Sequence, residues 1–315
     1  MSDNKGLHKA RNVKDDEFYT RFEDIEKELC HYTEHFRDRI VYCNCDNPRT
    51  SNFWKYFHIN FQRFGIKKLV STYFDKENPV IKAWYCGGSD SDISKFESSF
   101  LKGDGDFRSL ECVEILRQSD LIVSNPPFSL TRKYYFPLII ENNKKFLVIG
   151  DVNTISDINI FPLIKEDKVW LGYNTVSDFY FNGQVKKCGN RIWFTNLSID
   201  RKYQCLELTQ RYSDEKYPFY DNFKAINIDK TQDIPYDYDG IMGVPITFLK
   251  KYNPSQFEIL GIMDRGNRWG LRTKIYTKED SPRYNDLNRC GAIYMNGVLK
   301  NTYMRIFIRR RKQNE

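Results

Sequence analysis

The sequence predicts an α/β fold: a Rossmann-like, mostly parallel sheet with helices on both faces, followed by a smaller mixed α+β region. Three observations predict it. Short β-rich runs alternate with longer helical ones through the first 200 residues, the pattern that βαβ units leave in a chain. Beyond about residue 200 that alternation fades into Tyr-, Asp- and Pro-rich text such as "RYSDEKYPFYDNF". At 315 residues the chain is long enough for one large domain or for a domain with a smaller companion. We therefore divide it into residues 1–200 and 201–315.

Strands are expected at "RIVYCNC" (39–45), "KKLVSTY" (67–73), "IKAWYC" (81–86), "DLIVS" (120–124), "KFLVIG" (145–150), "KVWLGY" (168–173) and "RIWFTNL" (191–197), each rich in β-branched, aromatic or aliphatic residues. Helices are expected over 16–36, 110–118 and 132–143, between those runs. Near the end, Asn296-Gly297 between two apolar runs predicts a hairpin turn.

Composition narrows the function classes. The hydrophobic share is 40% and the charged share 29%, which suits a folded globular chain. A net charge of +7, spread along the chain apart from the terminal "RIFIRRRKQ", permits an anionic partner. No apolar run approaches the roughly 20 residues of a membrane span, and the first residues lack the apolar core of a secretion signal. A soluble, cytoplasmic protein is expected. Eight cysteines without a Cys-x-x-Cys pair do not make a disulfide framework. Cys43 and Cys45 lie on the same face of an expected strand and read as small buried thiols, and His31 and His35 read as surface residues. No metal is implied.

The chemistry concentrates in "SDLIVSNPPFSLTRKYY" (119–135), where a buried strand ends in Asn125, Pro126, Pro127 and Phe128. In an open α/β sheet, ligands sit beyond the carboxyl ends of the strands. Two prolines fix the backbone and remove two N–H donors, so the loop presents acceptors. A planar ring with an amino group suits it: the Asn125 amide oxygen and the Pro126 carbonyl accept the two N–H bonds while Phe128 stacks on the ring. Adenine fits. Its amino nitrogen is a weak nucleophile, and two acceptors drawing its hydrogens out of plane would stabilise the charge that develops on attack. A stiff turn with Asn125 as an ordinary turn residue accounts for the bare tetrapeptide equally well.

Asn-Pro-Pro-Phe at a strand end resembles the catalytic motif of the S-adenosylmethionine-dependent amino-methyltransferases. "DEFYT" (16–20), placed at the opening of the first helix, resembles the segment that lines the methionine end of that cofactor, here with Phe18, Tyr19 and Thr20. "GDGDFRS" (103–109) resembles the segment whose acid, Asp106, accepts from the cofactor's adenine amino group while Phe107 packs on that ring. "VYCNCDNP" (41–48) occupies the place of the glycine-rich cofactor loop but contains no glycine. Together with "FPLIKEDKVWLG" and "DYDGIMGVPITFLKKYNPSQFEILG", these segments resemble the EcoRI-type adenine DNA modification methylases over nearly the whole chain.

That resemblance implies roles. Asp46, helped by Asn44, would meet the polar methionine portion of the cofactor; a simple Asp46–Pro48 turn is the alternative. Asp75 would accept the ribose hydroxyls, and a solvated loop acid explains it equally. The implied enzyme is a site-specific adenine DNA methyltransferase that flips its target base, with double-stranded DNA as partner. It would act as a monomer and as the modification half of a restriction–modification system, whose endonuclease shares the recognition sequence without a stable complex. Arg265, Arg268, Arg272, Lys274 and Arg309 to Lys312 are candidate phosphate contacts, as are Arg132 and Lys133 beside the motif; solvated charge is the alternative for each. Methylation of RNA adenine or of a protein glutamine amide, or a catalytically silent DNA-binding subunit, are the competing readings.

Overall fold

The structure, a computed structural model, describes residues 19–181 and 184–311. The chain divides into two compact units, one running to Ile160 and taking in Val169–Ile199, the other made of Phe161–Lys168 and the chain from Asp200 onward.

The first unit is built on a nine-stranded sheet: β1 (Tyr19–Thr20), β2 (Ile40–Cys43), β3 (Lys68–Ser71), β4 (Ile81–Tyr85), β5 (Glu97–Phe100), β6 (Leu121–Ser124), β7 (Lys145–Asp151), β8 (Trp170–Phe181) and β9 (Gln184–Thr195). Their spatial order is β1-β8-β9-β7-β6-β2-β3-β4-β5. Parallel pairing is confined to the centre, β7-β6-β2-β3. The flanking strands all pair antiparallel. The sheet is therefore mixed rather than mostly parallel, because the chain leaves the central strands through hairpin-like returns (β3 to β4 to β5, β8 to β9) that need no crossover helix. The central strands are buried on both faces, as the unbroken run Leu121-Ile122-Val123 requires.

Helices α1 (Phe22–Leu29), α2 (Asn52–Ile59), α3 (Leu110–Gln118) and α4 (Phe136–Glu141) join these strands. The core holds Trp54, Trp193, Phe53, Phe57, Phe36 and Tyr32. The expected helix 16–36 begins later than the sequence pattern suggests and then runs as α1, a 3-10 turn (Cys30–Tyr32) and a last α-helical turn (Thr33–Phe36). Tyr19 and Thr20 instead pair with Tyr180 and Phe179 on β8, where an open sheet edge supplies ladder hydrogen bonds, and Arg21 is extended. α1 is fastened to β8 by buried Glu28, whose carboxyl accepts from the Tyr32 hydroxyl (2.9 Å), the Tyr173 and Asn174 amides (2.8 and 2.7 Å) and the Asn174 side chain (2.9 Å).

The second unit carries a four-stranded sheet, β10 (Ile226–Asn227), β11 (Met242–Pro245), β15 (Arg305–Arg310) and β12 (Phe257–Ile262) in that order, and a separate hairpin of β13 (Ala292–Met295) and β14 (Val298–Asn301). Asn296 and Gly297 turn that hairpin with φ of 52° and 74°. The basic end of the sequence is an inner strand, with Ile306, Phe307 and Ile308 wholly buried. No helix among the described residues is long and apolar enough to cross a membrane.

Candidate active site

Because β2, β3 and β6 run parallel, the loops that leave them emerge at one edge of the sheet. Asp46 sits there, 7% exposed, in the loop after β2. Its backbone N–H donates to the Thr72 carbonyl beyond β3 (2.9 Å), and the Ser71 hydroxyl donates to its carbonyl. One carboxylate oxygen accepts from Ser51 Oγ at 2.7 Å and the other from Ser124 Oγ at 2.6 Å. Ser124 is the last residue of β6 and the neighbour of Asn125. Ser51 caps α2, its hydroxyl also accepting from the Phe53 amide at 3.0 Å. The next residue, Asn52, donates from Nδ2 to the Thr20 carbonyl at 2.8 Å. A continuous run of short contacts thus joins Thr20, Asp46 and Asn125, which lie far apart in sequence. Burial pushes the Asp46 carboxyl up to about 6, and the two serine hydroxyls oppose that rise by favouring the ionised form.

Asn44 is 1% exposed, and its Oδ1 accepts a hydrogen bond from the Tyr135 hydroxyl. Tyr135 also presents its ring to Phe107 edge-on, with centroids 5.2 Å apart at 69°. It reaches both because Thr131–Tyr135 forms a π-helical turn just after the motif. The motif is held rigidly from behind: the Pro127 carbonyl accepts from the Leu130 amide (3.0 Å) and from Thr131 Oγ1 (2.9 Å). Phe128 meets Phe179 edge-on at 5.7 Å, and Phe179 is the residue that pairs with Thr20.

Two predicted acids sit differently. Asp106 forms a multiple hydrogen-bonded ion pair with Arg108, to Nε at 2.9 Å and to Nη2 at 2.5 Å, which holds its carboxyl below the ordinary range. Asp75 is occupied by its own turn, accepting from the Glu77 and Asn78 amides (2.9 and 3.2 Å) and from Asn78 Nδ2 (3.0 Å). The Asp75 and Asp106 loops are nonetheless joined, since the Asp75 amide donates to the Asp104 carbonyl at 3.0 Å. Gly105, at φ 76°, lies so close that an added Cβ would fall 1.9 Å from the Tyr73 carbonyl oxygen, so no other residue fits there. Phe18 lies outside the described residues, while Tyr19 and Thr20 are on the edge strand β1.

Ser51, Asn52, Ser124 and Tyr135 carry much of this geometry and were not singled out in the sequence. Serine before an aromatic-rich run is a helix-start signal, and a hydroxyl closing an otherwise apolar strand is a polar group that needs a partner; both signals were present.

An S-adenosylmethionine-type donor finds suitable partners here. Asn44 Nδ2 and Thr20 Oγ1 are buried and lack a hydrogen-bond partner among the described residues. Two such groups beside an acid supply donors for a carboxylate and an acceptor for an ammonium, the two ends of a free amino acid.

Of the candidate phosphate contacts, Arg272 is buried, stacks 4.5 Å from the Phe223 ring centroid and donates to the Asp264 and Asn288 carbonyls. Lys274 pairs with Asp221 and Asp280, and Arg309 with Glu258 at 2.8 Å. Arg311 donates to the Pro254 carbonyl. Arg265 and Arg268 are exposed in one loop, and Arg132 and Lys133 are exposed on the π turn. Lys312 lies outside the described residues.

Residues 6–311 match the family model described as adenine-specific methyltransferase EcoRI. The chain is 45% identical to the type II methyltransferase M.EcoRI of Escherichia coli, over 82% of this chain and 89% of that protein. It is 37% identical to M.MpnI of Mycoplasma pneumoniae over 81% and 84%, and 33% identical to M.MgeORF184P of Mycoplasma genitalium over 97% and 99%. Both are type II methyltransferases by name. No solved structure matches the chain.

Proposed function

The chain belongs to the family of EcoRI-type adenine-specific methyltransferases, and from that premise we propose that it moves a methyl group from S-adenosylmethionine to the 6-amino group of an adenine flipped out of a specific duplex sequence. It is a site-specific DNA methyltransferase of the type II modification class. The cofactor supplies an electrophilic methyl group on a sulfonium.

The observation that carries the reading is the double clamp on Asp46, which ties the expected cofactor loop to the residue before Asn125 and, through Ser51 and Asn52, to Thr20. In this reading Asn44, Asp46 and Thr20 hold the amino-acid end of the cofactor, with Tyr19 beside them. Phe107 packs against its adenine. Asp106 keeps one face toward that adenine's amino group while Arg108 fixes its orientation, and Asp75 shapes the ribose side by ordering its loop. Asn125 and the Pro126 carbonyl accept the substrate's amino hydrogens, Pro127 stiffens the turn and Phe128 stacks on the base. Withdrawal of those hydrogens toward the two acceptors localises the nitrogen lone pair for attack; the new N–C bond would replace the sulfonium's S–C bond, leaving a neutral thioether, and the methylated nitrogen would lose one hydrogen as a proton to water, because an amide oxygen and a carbonyl orient it but are too weakly basic to keep it. Residues 201–315 serve as the target-recognition region. The enzyme acts on cytoplasmic double-stranded DNA as a monomer, without a metal, alongside an endonuclease of the same recognition sequence.

Radiolabelled methyl transfer from S-adenosylmethionine to unmethylated duplex DNA, RNA and protein tests this. DNA is expected to be labelled and Asn125→Ala to lower the rate by about 100-fold or more, with cofactor binding kept. Label only in RNA or protein, or normal DNA methylation by Asn125→Ala, would overturn it. A DNA-binding subunit without catalysis would transfer nothing to any substrate.

A further inference from the structure

We propose that Arg191, anchored by Asp151, is a positioning residue that sets the plane of Phe128; the inference rests on Phe128 being the stacking platform for the flipped base. The Arg191 guanidinium lies 4.2 Å from the Phe128 ring centroid. Its Nη1 is 2.7 Å from Asp151 Oδ2. The two residues are direct cross-strand partners at the end of the β7–β9 ladder. That end is the catalytic edge, because Ser124 of β6 pairs with Val148 of β7 and the parallel chains run on together to Asn125 and to Asp151. Asp151 is itself fixed, its Oδ1 accepting from the Asn153 amide at 2.7 Å as it caps the following turn of 3-10 helix.

An ordinary surface ion pair does not look like this. The Arg191 side chain is 15% exposed, and its Nε is buried with no hydrogen-bond partner among the described residues. A buried donor left unmade is costly, and it persists where the surroundings fix the group for another purpose. The planar cation covers one face of the Phe128 ring and Phe179 meets the ring edge-on, 5.7 Å away at 76°. Phe128 is thereby braced at one face and one edge against rotation about its side-chain bonds. Lysine would keep the charge but not the flat contact. Neither Arg191 nor Asp151 is singled out by its sequence context.

The test measures methyl transfer to unmethylated duplex DNA, and the affinity for S-adenosylmethionine by calorimetry, for the full chain and for Arg191→Met, Arg191→Lys, Asp151→Asn and Phe128→Leu. Arg191→Met is expected to lower kcat about tenfold with the cofactor Kd within about twofold, and Arg191→Lys to fall between it and the native protein. The deciding variant is the double one: if Arg191 acts through Phe128, Arg191→Met in the Phe128→Leu background costs little more. The same tenfold loss in both backgrounds, an unchanged kcat in Arg191→Met, or equal loss of cofactor binding in Arg191→Met and Arg191→Lys would overturn the proposal. Asp151→Asn, which retains the arginine but weakens its anchor, reports on the anchor if Arg191→Met does not fold and is expected to lower kcat; a native kcat there also counts against the proposal. Absence of DNA methylation by the native chain would instead sink the functional reading beneath it.

Discussion

The two units spend their polar side chains in opposite ways. At the candidate site of the first, buried and half-buried polar groups reach across the sheet to one another: Asp46 to Ser124, Asn44 to Tyr135, Asn52 to the Thr20 carbonyl. In the second, several basic residues that resemble a nucleic-acid surface are turned inward or neutralised by their own unit: Arg272 onto carbonyls, Lys274 and Arg309 onto acids. The contrast teaches that a residue's type suggests a partner, while burial and existing bonds decide whether it can still take one.

The sharpest way to break the comparison is to remove Arg272. If it is structural, Arg272→Met leaves buried carbonyls without donors and lowers stability by about 3–4 kcal/mol, seen as a drop in the denaturant midpoint. A phosphate contact would instead weaken DNA binding at unchanged stability. Next in size is Glu28→Ala in the first unit, which strands four donors around the α1–β8 junction and should cost about 3 kcal/mol. Hydrogen exchange should show β1 and α1 loosening first.

Asp46→Asn comes third. Its folded carboxyl is raised from 3.8 to about 6, so the stability linked to the protonated form is fully present below the unfolded value and is lost as pH rises through the folded one. Relative to Asp46→Asn, the native chain should therefore lose on the order of 2 kcal/mol between about pH 4 and about pH 7. The variant should hold its fold at neutral pH yet bind S-adenosylmethionine poorly, which calorimetry would reveal. A flat difference across that range would mean Asp46 is ionised without cost. The smallest effect is expected at exposed Arg268. Arg268→Ala should reduce the salt slope of DNA binding by about one and weaken affinity by about 1 kcal/mol or less, with no change in melting.

Much of the fold was legible because it depends on local pattern. The central strands are unbroken apolar runs, and the Asn296-Gly297 turn carries its own backbone preference. β5 escaped notice because "ESSF" is exposed at every position and so has no apolar face to read. α2 escaped because "NFWKYFHI" is aromatic-rich, and aromatic residues are mediocre helix formers that tertiary packing overrides. β1 is two residues long and exists through pairing with a strand some 160 positions away. At the site, Asn125 and Asp46 stood out by motif, whereas Ser124 and Tyr135 matter through contacts spanning 78 and 91 residues. Asp75 and Asp106 show the converse: acids at suggestive positions whose oxygens are first engaged by their own loops.

The π turn at Thr131–Tyr135 makes chain length itself a constraint. It adds one residue to what would be a plain helical turn between Phe128 and Phe136. Shortening it by one residue would leave every named side chain in the sequence except one exposed base, Arg132 or Lys133, yet rotate the preceding motif by about 100° relative to the helix that follows. Tyr135 could not then face Asn44 while Phe136 kept its place in the core. In this fold the deletion of one residue with an exposed side chain would uncouple the candidate site from its support.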